Sequence, residues 1–160
     1  MKIQHEHVIP VPKERVLQIY LDDQFYIGQL KNSGAITVDI VESSPIPGGG
    51  VSRKTRVTQP TKVPAMLRKS DTDEYIDDCR VDVSQSRMSY RITPSMFADQ
   101  FNLAGSIDFI EFGPTTKLVF TTEIEIRIPL LGRKLEQQSI DEAEGLVQKQ
   151  VDFLKAWAAR

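Results

Sequence analysis

The sequence predicts an α+β fold, a seven-stranded antiparallel sheet with its helices gathered on one side and a long helix at the C-terminal end. Three observations carry that expectation. From Leu118 to Ile128 the apolar residues Leu118, Phe120, Ile124, Ile126 and Ile128 fall on alternate positions, interrupted by Thr122. Lys117, Thr121, Glu123, Glu125 and Arg127 take the other face, and this period of two marks a half-buried strand. Beyond Gly132, Leu135, Ser139, Ala143, Leu146, Val147, Gln150, Val151, Leu154 and Trp157 recur at steps of three and four, the pattern of one amphipathic helix. Such a helix spans about 40 Å at 1.5 Å per residue, enough to cross a sheet. The third observation is the strand-rich middle, whose segments are joined mostly by short turns.

Taken in order, Lys2 to Ile9 alternates, with Ile3, His5, His7 and Ile9 on one face, until Pro10 and Pro12 stop it. Pro12 suits the first position of a helix, where its missing N–H is not needed. The helix Lys13 to Leu21 follows, with Val16, Leu17, Ile19 and Tyr20 on its apolar side. Asp22-Asp23 offers an N-cap for a second short helix, Gln24 to Lys31, which Asn32-Ser33-Gly34 ends. Strands are expected at Ala35 to Glu42 and Val51 to Thr58, around a turn from Pro45 to Gly50. Pro60 and Pro64 argue against a central strand in Pro60 to Lys69, which reads as an irregular connection. Thr72 to Val83, Arg87 to Thr93, Phe101 to Phe112 and Thr115 to Ile128 complete the sheet, with Gly113-Pro114 as a turn signal. No repeat, low-complexity tract or linker divides the chain, so residues 1–160 read as a single domain.

Composition bounds the function. A chain of 160 residues can bury a sizeable core, and a net charge of −2 provides no bulk attraction to nucleic acid or acidic membranes. The single cysteine, Cys79, excludes an intramolecular disulfide and suits a reducing compartment. The stretch from Met1 to His7 lacks the apolar run of a secretory signal, and no segment approaches the length of a membrane span. The expectation is a soluble cytoplasmic protein with no nucleic-acid partner.

Three local motifs go further. They are Val11-Pro12-Lys13-Glu14-Arg15-Val16 with Leu21-Asp22 and Phe25; Gly48-Gly49-Gly50 with Arg56, Pro60 and Pro64; and Ile128-Pro129-Leu130-Leu131-Gly132-Arg133-Lys134-Leu135-Glu136 with Phe153 and Trp157. With the element order, they resemble the helix-grip fold of the START/Bet v 1-like (SRPBCC) superfamily, and within it the bacterial branch known as domain of unknown function 2505. The resemblance covers nearly the whole chain. It implies a curved sheet wrapped around the C-terminal helix, a cavity between them, and two short helices closing one end. It transfers no catalytic residue and no cofactor, and relatives range from lipid carriers to polyketide cyclases and co-chaperone activators, so fold alone does not choose. The chain departs from that branch in having no tryptophan between Glu74 and Val83.

Candidate site residues follow from the inward faces. Ile36, Val38, Ile40, Leu103, Ile107, Phe120 and Ile124 on strands, with Leu146, Gln150 and Phe153 on the helix, are expected to line the cavity. Arg53, beside Val51 and Val57 in alternation, and Tyr90, between Met88 and Ile92, are candidate polar anchors, although a buried Arg needs a partner that the sequence does not show. His5 and His7 share an apolar strand face and join the lining set; as a metal pair they lack a third ligand at supporting spacing, Cys79 being the only soft candidate. No metal site is expected. Lys62, Arg68 and Lys69 flank Val63-Pro64-Ala65-Met66-Leu67, which suits a weak peripheral membrane contact through 62–69. The simpler reading pairs the basic run 53–69 with the acidic run 71–78 across neighbouring strands. Glu142 is the helix carboxylate nearest the apolar stripe. No nucleophile–base order, phosphate loop or paired-cysteine motif occurs. The function expected is binding or carriage of a hydrophobic or amphipathic small molecule. The alternatives are a cyclase- or hydratase-like enzyme using His5, His7 or Tyr90, and an interaction module with a filled core.

Overall fold

A computed structural model describes residues 1–63 and 65–160, the side chain of Leu67 excepted. Strand β1 (Lys2–Ile9) leads into helices α1 (Lys13–Leu21) and α2 (Asp23–Asn32). Six strands follow: β2 (Thr37–Pro45), β3 (Gly50–Pro60), β4 (Thr72–Asp82), β5 (Arg87–Pro94), β6 (Phe101–Phe112) and β7 (Thr115–Ile126). Helix α3 (Gly132–Ala158) closes the chain, and single 3₁₀ turns occur at Ala65–Leu67 and Ala98–Gln100. The strands form one antiparallel sheet in the order β1-β7-β6-β5-β4-β3-β2. This is the seven-stranded α+β arrangement expected, with β1 and β2 as its edges. Pro64 lies outside the described residues, as does the side chain of Leu67.

Boundaries differ where turn chemistry is local. β2 runs on to Pro45, and a bulge between Ile40 and Glu42 bends this edge strand. β7 stops at Ile126 rather than Ile128; the Arg127 N–H adds one more bond in the β6–β7 register, to Gln100 O at 2.7 Å, and Pro129 then brings no donor. Asp22 caps α2, its carboxylate accepting from the Gln24 N–H at 2.9 Å.

The period-two pattern puts one face of every strand against the helices. Ile9, Ile107, Phe109 and Leu118 pack there with Val16, Leu17, Ile19 and Phe25 of α1 and α2, and with Val147, Val151 and Leu154 of α3. Those α3 residues all lie in its second half. In the first half, Leu135, Ser139, Ile140 and Ala143 are only half-buried. Gly132 sets where α3 starts, since a Cβ there would fall onto the Ile126 carbonyl. The β3–β4, β5–β6 and β7–α3 connections share one end of the sheet, while α1 and α2 cover its concave face towards the other.

The convex face is ionic. Lys117–Glu6 at 3.1 Å and Arg87–Asp108 at 2.7 Å tie neighbouring strands. Arg56 bridges Asp39 at 3.9 Å and Glu74 at 3.6 Å, and Lys54 stands opposite Asp78, so the basic and acidic runs do meet across β3 and β4. Among the described residues no helix is long and apolar enough to cross a membrane.

Candidate functional site

Small side chains on both walls leave space unfilled between the first half of α3 and the sheet. Ser139 and Ala143 interrupt its apolar stripe, and Thr122 of β7 lies below, while the Tyr90 ring covers Gly105 beside it. Two compartments result, each of about 190 Å³. The outer one is lined by Tyr75, Ile92, Phe97, Phe101 and Leu135, and the inner one by Ile3, Tyr90, Ile107, Phe120, Leu146 and Gln150. They meet along Leu103, Ile124, Ser139, Lys62 and Glu142, which line both. Together they reach the low end of the roughly 300–1,000 Å³ usual for small-molecule sites.

An ion pair crosses the mouth. Lys62 Nζ lies 3.3 Å from Glu142 Oε2, while Gln138 Nε2 donates to Glu142 Oε1 at 3.3 Å. The Lys62 N–H donates to Asp73 Oδ2 at 3.0 Å, fixing the root of the β3–β4 connection. Both charged side chains are about half exposed, so the pair contributes at most about 1 kcal/mol and can open readily.

Deeper on the concave face, under α1 and α2, lies a polar cluster. Arg53 is 2% exposed; its Nε donates to Asp23 Oδ1 at 2.8 Å, and its two terminal nitrogens donate to Tyr20 O at 3.1 Å and Leu21 O at 2.8 Å. The guanidinium therefore caps the end of α1, which has no basic residue of its own in the last turn. Tyr26 stacks on it at 4.8 Å and donates its hydroxyl to Asp77 Oδ2 at 2.9 Å, with Thr55 Oγ1 at 3.0 Å. Burial pushes the Asp77 carboxyl up to about 6, although the Tyr26 hydroxyl and Arg53 both oppose this. Its Oδ1 has no partner among the described residues. Burial likewise raises Tyr75, Tyr90 and the Cys79 thiol, the last to about 12, leaving an unreactive thiol.

The family model described as "Protein of unknown function (DUF2505)" matches residues 4–158. The chain belongs to that family. Solved structures with the same fold include an aromatase/cyclase from Streptomyces sp. R1128, 14% identical over all of this chain and 94% of that one, at a TM-score of 0.73. A START superfamily protein from Mycobacterium smegmatis is 13% identical over 98% of each chain, at a TM-score of 0.67. Norcoclaurine synthase from Thalictrum flavum, in complex with dopamine and hydroxybenzaldehyde, is 15% identical over 99% of this chain and 86% of that one, at a TM-score of 0.64. None of the curated protein sequences matches. The likeness to solved structures shows the helix-grip fold of the START/Bet v 1-like superfamily.

In this DUF2505 chain, Tyr90, Leu103, Ile107, Phe120, Ile124, Leu146 and Gln150 come together in the inner compartment. The other sequence-derived candidates lie elsewhere. His5 and His7 are on the inward face of the edge strand β1 but line neither compartment, and His7 meets Phe120 edge-on with ring centres 6.2 Å apart. Cys79 is four strands away, roughly 19 Å at about 4.8 Å per strand, so it cannot join them as a ligand. Val38 and Ile40 sit on the opposite edge strand β2, with Ile36 just before it; none of the three lines either compartment, and Ile36 is exposed. Arg53 is engaged by α1 and Asp23. Phe153 packs on Phe25, Trp157 and Gly28, where α2 and α3 close the narrow end. Sequence reasoning missed Ile3, Tyr75, Ile92 and Thr122. Tyr75 alternates with Asp77, Cys79 and Val81 on one face of β4, but the polar members hide that face from a search for apolar alternation.

Proposed function

We propose that this DUF2505 chain binds a small hydrophobic or amphipathic molecule between the sheet and the first half of α3. The supporting observation is the two-compartment cavity, whose walls are chiefly apolar and carry a few inward polar groups, among them Tyr90, Thr122 and Gln150. The same fold holds dopamine and hydroxybenzaldehyde in norcoclaurine synthase, which supports a cavity of this kind as a place for small aromatic molecules. Carriage rather than catalysis is the reading adopted: His5 and His7 line neither compartment, and Tyr90, the acid–base candidate that does line one, is a buried phenol whose pKa burial raises, so it keeps its proton. The single cysteine, buried as a free thiol, fits a cytoplasmic site of action.

The test is uptake of a naphthalene-type fluorescent probe by the full chain. Saturable binding is expected, and Phe120→Trp should weaken the probe several-fold while changing the melt little, because an open cavity accepts volume that a packed core resists. A filled core would give no saturable uptake and a loss of about 1–3 kcal/mol on overpacking. That result would replace the ligand reading with the interaction-module one.

A further inference from the structure

The two compartments differ in chemistry. The inner one carries side chains that hydrogen-bond without charge: the Tyr90 hydroxyl, with Thr122 beside it, and the Gln150 amide of α3. Tyr90 keeps its proton and so remains a donor. Thr122 and Gln150 are half-buried, the first on the inward face of β7 and the second on α3 above it. Among the described residues that line this compartment, only Lys62 and Glu142 are charged, and they engage each other at 3.3 Å where it joins the outer one.

The outer compartment is built from rings. Tyr75, Phe97 and Phe101 line it, with Ile92, Met96 and Leu135. Lys62, Glu74 and Glu142 also line it, but their side chains are about half exposed and belong to the solvated rim; Asp73 is held there by the Lys62 N–H. Phe97 has a φ of +59° and a ψ of +31°, the left-handed conformation that a bulky side chain avoids. Its carbonyl closes the 3₁₀ turn of the β5–β6 connection, accepting from the Gln100 N–H at 2.9 Å. Gly or Asn would adopt that conformation at lower cost, so the turn does not account for an aromatic residue. The core does not account for it either, since Phe97 is half-buried and stands apart from the residues packed under the helices. What Phe adds is an apolar ring at the wall of the outer compartment, and strain kept at such a place points to the site it lines.

We propose that the ligand is an uncharged aromatic molecule bound head first, its hydroxyl or carbonyl end in the inner compartment against Tyr90, Thr122 and Gln150, and its rings in the outer one among Tyr75, Phe97 and Phe101. A neutral head exchanges hydrogen bonds with water for hydrogen bonds with those three side chains. A charged head in the same place would lose its hydration without meeting an unpaired ion of opposite sign. Flat rings gain most from an aromatic wall. The proposal rests on the ligand-cavity reading and goes beyond it in fixing the ligand's charge, its ring character and its direction.

Equilibrium dialysis of the full chain against biphenyl, para-phenylphenol, para-phenylbenzoate and para-phenylbenzylammonium tests this. The phenol should bind about fivefold or more tighter than biphenyl, and tighter than either charged probe. Tyr90→Phe, Thr122→Val and Gln150→Leu combined keep the shape of the inner compartment and remove its polar groups. That variant should still take up biphenyl and should lose the preference for the phenol. Phe97→Asn should weaken biphenyl and the phenol alike by several-fold while the melting temperature holds or rises, because Asn accepts the left-handed backbone. The proposal is overturned if biphenyl binds as tightly as the phenol, or if the triple variant keeps the preference. It is also overturned if a charged probe binds tightest, since Lys62 or Glu142 then takes the head, or if Phe97→Asn changes neither affinity. Each of those outcomes includes saturable uptake and so leaves the cavity reading standing. No saturable uptake of any of the four probes would remove both.

Discussion

Asp77 is a carboxylate held 5% exposed on the concave face, and its raised pKa has a definite consequence for stability. The unfolded chain releases this proton near 3.9, whereas the folded chain keeps it to about 6. Between those values the folded state holds more protons, so this residue's contribution falls as pH rises, and the full penalty applies above the folded value. Asp77→Asn keeps an acceptor for Tyr26 and removes the charge. It should match the wild type below pH 4 and exceed it by about 1–3 kcal/mol at pH 7–8, as read from urea unfolding across pH. An unchanged difference across that range would place the buried charge elsewhere. Gly105 makes the second residue-scale prediction. The Tyr90 ring lies over it, so close that an added Cβ would meet Cε1 at 2.7 Å. Gly105→Ala should therefore lift Tyr90 into the inner compartment, cost about 1–3 kcal/mol, and weaken the naphthalene probe. Adding Tyr90→Ala should restore part of the stability.

At the scale of elements, the attachment of α1 and α2 to the sheet depends on Arg53. Replacing it with Met fills most of the volume but leaves the Tyr20 and Leu21 carbonyls without their donor. Chemical denaturation should show a loss of about 2–3 kcal/mol. Asp23→Asn should cost less than about 1 kcal/mol, because that carboxylate is half exposed and can turn to water. The reverse ranking would mean that the charge pair, rather than the helix cap, is the tie. The same elements show why Arg53 could be flagged as buried from sequence while its role could not. Its partners are 30 to 33 residues away on an elbow, and three of its bonds depend on where that elbow is placed.

For the whole molecule, α3 is the element that covers the concave face of the sheet. A chain ending at Pro129 would expose Ile107, Phe109, Leu118 and Phe120 together, residues that are at most 5% exposed in the intact fold. Calorimetry should find no cooperative melt, since surface of that kind is what a domain must bury. A soluble, cooperatively melting truncation would mean that the core forms without α3. Trp157 contributes less than its size suggests, being only half-buried between Phe25, Phe153 and Arg160.

Element order was legible in the sequence alone, because alternation in β1 and β7 and the three- and four-residue steps of α3 are local signals that neighbouring residues carry by themselves. Their extents follow closely: β1 and α1 run as the pattern says, while β2 runs past its apolar alternation to Pro45 because β3 pairs with it there, and β7 ends at Ile126. Inward faces could be read as apolar or polar, yet which inward residues meet was settled by strand order and by the line of α3. Val38 and Phe120 have the same local pattern, but one lies on the edge strand β2 and the other beneath α3. The cavity itself lies where Ser139 and Ala143 of α3 come over Thr122 of β7, small residues that are ordinary singly and leave space only when the helix is laid across the sheet. The same placement brings Lys62 to Glu142 across 80 residues, a pairing set by tertiary distance that no local spacing could reveal.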